Sequence, residues 1–160
     1  MYQRLIGRLI YLAHTWADIA YSMSVISQFM HDPREPHLQA AYRVLHYLKG
    51  NPGKGILFKK NNTLALEAYI DSDYTGSLVD RRSTTGYCTF LGGNLVTWRS
   101  KKQNVVVRSS AESEFRAIAQ RLCELLWLKI ILDDLKIKWD GPMKLYCDNK
   151  SAINIAHNPI

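Results

Sequence analysis

Between residues 50 and 55 the chain reads Gly-Asn-Pro-Gly-Lys-Gly, its densest cluster of helix- and strand-breaking residues. The apolar period changes across this cluster. Before it, Leu5, Ile6, Leu9, Ile10 and Leu12 recur at helical spacing, and a second run passes from Ile19 through Val25 and Ile26 to Phe29. After a break at Asp32 and Pro33, Leu38, Ala41, Leu45 and Leu48 form one stripe of a third helix. Beyond the cluster the period falls to two. A chain divided in this way predicts a helical segment over residues 1–54 and a domain of another class over 55–160.

In that second part, residues 56–59 and 64–71, joined at Asn61 and Asn62, read as a hairpin. Along 64–71, Leu64, Leu66, Ala68 and Ile70 share one face, and Glu67, Tyr69 and Asp71 the other. Residues 86–91 and 95–100 make a second hairpin through Gly92, Gly93 and Asn94, and 105–108 is either a further short strand or a lead into the next helix. Ser109 or Ser110 caps a long helix that runs to about Asp133. A strand over 143–147 follows, and then a last helix through Ile155. The pattern predicts an α+β (mixed α/β) domain. If the 143–147 strand lies parallel beside 64–71, Asp71 and Asp148 emerge at the same edge of the sheet, the carboxyl end where ligand sites gather.

With 160 residues and 47% apolar content, the chain has material for one full core, or one domain and an attached piece. Twenty-one Lys and Arg against 14 Asp and Glu give a net charge of +7, and basic doublets stand at Lys59 and Lys60, Arg81 and Arg82, and Lys101 and Lys102. Such a balance favours a polyanionic partner, nucleic acid ahead of membrane, with a solvated basic surface as the equal alternative. Cys88, Cys123 and Cys147 lie far apart with no metal spacing, and read as reduced thiols of an intracellular protein. The apolar start is interrupted by Arg4, Arg8 and His14, so neither a signal peptide nor a membrane span is expected.

Several acids bracket these elements. Asp71 closes an alternating strand on the face opposite its apolar residues, whereas Asp73 reads as a turn residue. Glu112 has a structural role as partner of Ser109 in a capping box. Glu114 does not. It lies one, two and three turns before Ile118, Leu122 and Leu125, on the face turned to the core, where a carboxylate needs a metal ion or a basic partner such as Arg116 or Lys102. Asp148 or Asn149 can cap the last helix. Three acids at strand ends and a facing helix start are the oxygen donors that a Mg²⁺ site requires.

The segments LIGRLIYLAHT, DIAYSMSVISQFM, HLQAAYRVLHYLKG, YIDSDYTG, RRSTTGYCTFLGGNLVTWRSKKQ, RSSAESEFRA, ELLWL and LYCDNKSAI occur in this order. Together they make the chain resemble the C-terminal part of the Pol polyprotein of copia-type LTR retrotransposons, from the tail of the reverse transcriptase into its RNase H domain. The resemblance implies a reverse-transcriptase connection over 1–54 and an RNase H-like mixed sheet flanked by helices over 55–160. It implies Asp71, Glu114 and Asp148 as catalytic metal ligands, in the order Asp, Glu, Asp that separates RNase H from integrases of the same broad fold. It further implies two Mg²⁺ ions, or Mn²⁺ in their place, an RNA/DNA hybrid as substrate, the remainder of Pol as partner, and a cytoplasmic (virus-like particle) or nuclear location. Arg81, Arg82, Lys101 and Lys102 are candidate phosphate contacts. The chain departs from the family pattern at Trp16 and Ala17, where Arg-Pro is usual, and at Ile70, Ser72 and Thr75, where Thr, Ala and Ala are common. The family also carries a fourth acid after the HNP motif, and no Asp or Glu follows Asp148 here. An inactive derivative that keeps the fold and nucleic-acid binding is therefore the alternative expectation.

Overall fold

The computed structural model describes residues 1–60, 64–76, 80–137 and 141–158. The chain forms two compact units, Met1–Leu57 and Phe58–Ile160. The first consists of helices α1 (Tyr2–Ala13), α2 (Ala20–Ile26) and α3 (Glu35–Gly50). Helical spacing turns Tyr2, Ile6 and Leu9 of α1 inward against Ile19, Met23, Ile26, Ala41 and Val44, and Leu38, Leu45 and Leu48 pack around them. The Tyr2 hydroxyl donates to the Ile26 carbonyl at 3.2 Å, so a buried polar end is satisfied. Pro36 near the start of α3 costs nothing, because the first helical N–H groups have no partner within the helix.

The second unit is a four-stranded mixed sheet with two helices. Strands β1 (Leu66–Asp73), β2 (Thr84–Leu91), β3 (Asn94–Lys102) and β4 (Lys144–Tyr146) lie in the order β3-β2-β1-β4. β1 runs antiparallel to β2 and parallel to β4, with Tyr69 opposite both Cys88 and Tyr146. The long helix α4 (Ser110–Asp134) precedes β4, and α5 (Lys150–His157) follows it. Leu66, Ala68 and Ile70 alternate into the buried face of β1, where Leu125 closes one part of the core and Ala117, Ile118 and Ala152 close the other. The α+β class, the parallel β1–β4 pair and the β2–β3 hairpin agree with the sequence pattern. Among the described residues no helix is long and apolar enough to cross a membrane.

One expected strand is not formed, and one open alternative is decided. Residues 56–59 have no ladder partner, because Asn94 takes the backbone of Lys59 instead: Lys59 N donates to Asn94 Oδ1 at 2.7 Å and Asn94 Nδ2 to the Lys59 carbonyl at 2.8 Å. The expected turn at Asn61 and Asn62 lies outside the described residues. Residues 105–108 are irregular, with Val107 buried but Val105 and Val106 exposed, and the Arg108 N–H serves the start of α4.

Candidate functional site

Alternation along β1 separates neighbours with different tasks. Asp71 stands opposite Gly86 on the exposed side of the strand, and the next residue, Ser72, is buried toward α4. Asp73 ends the strand, and its carboxylate sits so close to Gly76 that a Cβ there would collide with it. That contact fits the turn role expected for Asp73.

Ser109 caps α4, its Oγ accepting from Glu112 N at 3.1 Å. The return arm of the expected capping box reaches one residue further back, since Glu112 Oε2 accepts from Arg108 N at 2.9 Å rather than from Ser109. Glu112 Oε1 also accepts from Arg116 Nε at 3.0 Å. The Arg108 backbone bond, helped by Arg116, holds the Glu112 carboxyl below its ordinary range. Glu112 is thus fully engaged in starting the helix.

Glu114, one half-turn on, is only 4% exposed. Its Oε1 accepts from Ser72 N at 2.9 Å and its Oε2 from the Cys147 thiol at 3.7 Å. The two basic partners that would have made it an ordinary ion pair are occupied elsewhere: Arg116 pairs with Glu112, and Lys102 with Asp80. No ion pair to Glu114 occurs among the described residues. Burial pushes its carboxyl up, the Ser72 bond opposes this, and the charges of Asp71 and Asp148 push it further up.

Asp148 lies between β4 and α5. Asn149 takes the cap, its Oδ1 accepting from Ala152 N at 3.0 Å, and Asp148 is left out of the capping bond. Ligand atoms of Glu114, Asp148 and Cys147 lie within 4.8 Å of one another. Asp71 is outside this tight group and reaches Glu114 through its charge. The tertiary structure therefore gathers Glu114 and Asp148 closely and Asp71 more loosely, at the end of the sheet where β1 and β4 both finish.

Cys147 belongs to the cluster, where the sequence suggested only a core thiol. Burial raises its pKa, and the neighbouring Glu114 and Asp148 charges raise it more, so at neutral pH it is an S–H donor. Its place beside Asp148 in LYCDN was the available signal. With the thiol protonated, the donors left are carboxylate oxygens, and these suit a small hard divalent cation.

No family model matches the chain, and no solved structure matches it. It is 46% identical over 159 residues, 99% of its length, to the retrovirus-related Pol polyprotein from transposon RE1 of Arabidopsis thaliana, and 45% identical over 159 residues to that from transposon RE2 of the same plant. It is 34% identical over 158 residues to the Pol polyprotein from transposon TNT 1-94 of Nicotiana tabacum. The chain belongs to the copia-type retrotransposon Pol family. It spans 11% of the length of the two Arabidopsis polyproteins and 12% of the tobacco one.

Within this Pol segment the four candidate phosphate contacts do not form one patch. Arg82 Nε and Lys102 Nζ both meet Asp80 Oδ2, at 3.8 and 3.3 Å. Lys102 lies opposite Thr84, which lies opposite Asp73, so this trio sits at the same end of the sheet as Asp71. Lys101, its neighbour on β3, points to the other face and is exposed. Arg81 is exposed with a positive φ of 55°. Ser72, one of the departures from the family pattern, puts its hydroxyl against that of Ser113, a contact that no local pattern signalled.

Proposed function

We propose that the Phe58–Ile160 unit is the RNase H-like domain of a retrotransposon Pol polyprotein, hydrolysing the RNA strand of RNA/DNA hybrids during reverse transcription by two-metal catalysis. The observation that carries this reading is Glu114, a buried carboxylate with no basic partner among the described residues, on which the charges of Asp71 and Asp148 converge. Buried in this way, the group either keeps its proton or ionises beside a cation, and a bound metal ion would favour the ionised form. Asp71, Glu114 and Asp148 would hold Mg²⁺, with Mn²⁺ as a substitute. Two bound ions supply charge neutralisation at the attacking and leaving oxygens of the phosphodiester.

The chain's own residues prepare that site. Ser72 N–H and the Cys147 thiol hold the two oxygens of Glu114, one each. Arg82 and Lys102 at Asp80 offer phosphate contacts at the same end of the sheet, with Arg81 and Lys101 as further cations, and hybrid shape with the 2′-OH distinguishes RNA from DNA. The helical unit Met1–Leu57 is the connection to the reverse transcriptase, and the partner is the rest of Pol. The location is intracellular, in a cytoplasmic virus-like particle or the nucleus.

The looser placement of Asp71, outside the tight group of ligand atoms, favours a second reading, in which the fold binds hybrid without cleaving it. One assay separates the two. Cleavage of a labelled hybrid in Mg²⁺ or Mn²⁺, reduced at least about a hundredfold in Asp71→Asn, supports the nuclease. Salt-sensitive binding with no metal-dependent cleavage by the unaltered chain supports the second reading.

A further inference from the structure

Gln103 follows β3 and is joined to β1, β2 and α4 at once. Its backbone N–H donates to the Ser83 carbonyl at 2.8 Å. Its Nε2 lies 3.0 Å from Thr85 Oγ1 in β2 and 3.0 Å from the Ser113 carbonyl in α4. Ser113 Oγ at 3.3 Å and Ser72 Oγ at 3.4 Å lie on the same side. The amide orientation follows from chemistry, since the Ser113 carbonyl only accepts and must therefore face the NH₂ group. Ser72 and Ser113 touch through their hydroxyls, and Ser72, Ser83, Thr85 and Ser113 are all buried. Gln103 Oε1 is buried without a hydrogen-bond partner among the described residues, while the NH₂ group bonds strand and helix together; losing those donors would leave buried acceptors unbonded at a desolvation cost.

The hub occupies a telling place in the chain. Ser72 follows Asp71, and Ser113 precedes Glu114. Whatever fixes the two serines together also fixes the first turn of α4 against the end of β1, and so sets the distance at which Ser72 N–H meets Glu114 Oε1. We infer that Gln103 is a positioning residue for the acidic site, acting through Ser113 and Ser72 to hold Glu114 in register with Asp71. The inference rests on the metal-site reading for its consequence, but not for its geometry.

The experiment uses the 160-residue chain with Gln103→Met, which keeps the side-chain length and removes the donors, and Leu132→Ala, which weakens the core at the far end of α4 as a stability control. The first readout needs no metal: the amide proton of Ser72 in NMR spectra. Gln103→Met moves that signal upfield as the bond to Glu114 lengthens, while Leu132→Ala leaves it in place at an equal loss of Tm. The second readout is Mn²⁺ affinity by paramagnetic resonance, with Kd rising about tenfold in Gln103→Met and unchanged in Leu132→Ala. A Ser72 signal that stays put in Gln103→Met overturns the inference, as does an unchanged Mn²⁺ affinity where the unaltered chain binds the ion. If the unaltered chain binds Mn²⁺ no better than Asp71→Asn does, the metal reading fails, and the Ser72 signal alone still decides the role of Gln103.

Discussion

The backbone N–H of Ser72 donates to Glu114 Oε1 at 2.9 Å across 42 residues of sequence, joining the end of β1 to the first turn of α4. This bond brings the strand that carries Asp71 and the helix that carries Glu114 to one place. It also leaves Glu114 in a position that disfavours its ionised form, because it is buried and feels the charges of Asp71 and Asp148.

The contribution of Glu114 to metal-free stability therefore falls as pH rises. The folded-state pKa of Glu114 lies above its ordinary value of 4.5, so the folded chain retains a proton that the unfolded chain releases. The contribution is fully favourable below pH 4.5 and is lost as pH climbs from there to the raised folded value. Thermal unfolding in chelator should show a lower Tm at pH 7.5 than at pH 4.5 from this group. Glu114→Gln should flatten that dependence and raise Tm at pH 7.5. A variant that keeps the full slope would remove Glu114 as its source.

Two adjacent leucines on α4 should differ sharply. Leu125 is 0% exposed and packs under Leu66 and Ala68, whereas Leu126 is 51% exposed. Leu125→Ala should cost about 2–5 kcal/mol in urea unfolding, and Leu126→Ala within about 0.5 kcal/mol.

Hybrid binding should sort the basic residues by their partners. Lys101 is exposed and makes no ion pair among the described residues, so Lys101→Ala should reduce the slope of log affinity against log salt by about one. Lys102 shares its charge with Asp80, and Lys102→Ala should change the slope less. Fluorescence anisotropy over a salt series measures both, and equal slopes would argue against the partition.

The three thiols should react in a fixed order. Cys123 is exposed, while burial raises the pKa of both Cys88 and Cys147 and lowers their thiolate fraction. Limiting iodoacetamide at pH 7.5, followed by peptide mass spectrometry, should find Cys123 alkylated first. Early labelling of Cys147 would contradict its role as a protonated donor to Glu114.

Local chemistry in the sequence was sufficient for much of this protein. Helical spacing in the first part and the alternation that turns Leu66, Ala68 and Ile70 inward and Asp71 outward are short-range relations present in the fold, and the caps fall on one of the two neighbours open at each helix start, Ser109 and Asn149. What depended on partners distant in sequence was decided only by tertiary structure. Asn94 claims the backbone of Lys59 and removes an expected strand; Asp80 gathers Arg82 and Lys102 but not Lys101; Arg116 goes to Glu112 and leaves Glu114 without a cation. Cys147 joins the acids for the same reason, as does Gln103 behind them. Propensity and period set what each segment forms, but which of several possible donors reaches a given acceptor depends on the register between elements, and that register is fixed by packing across the whole sheet.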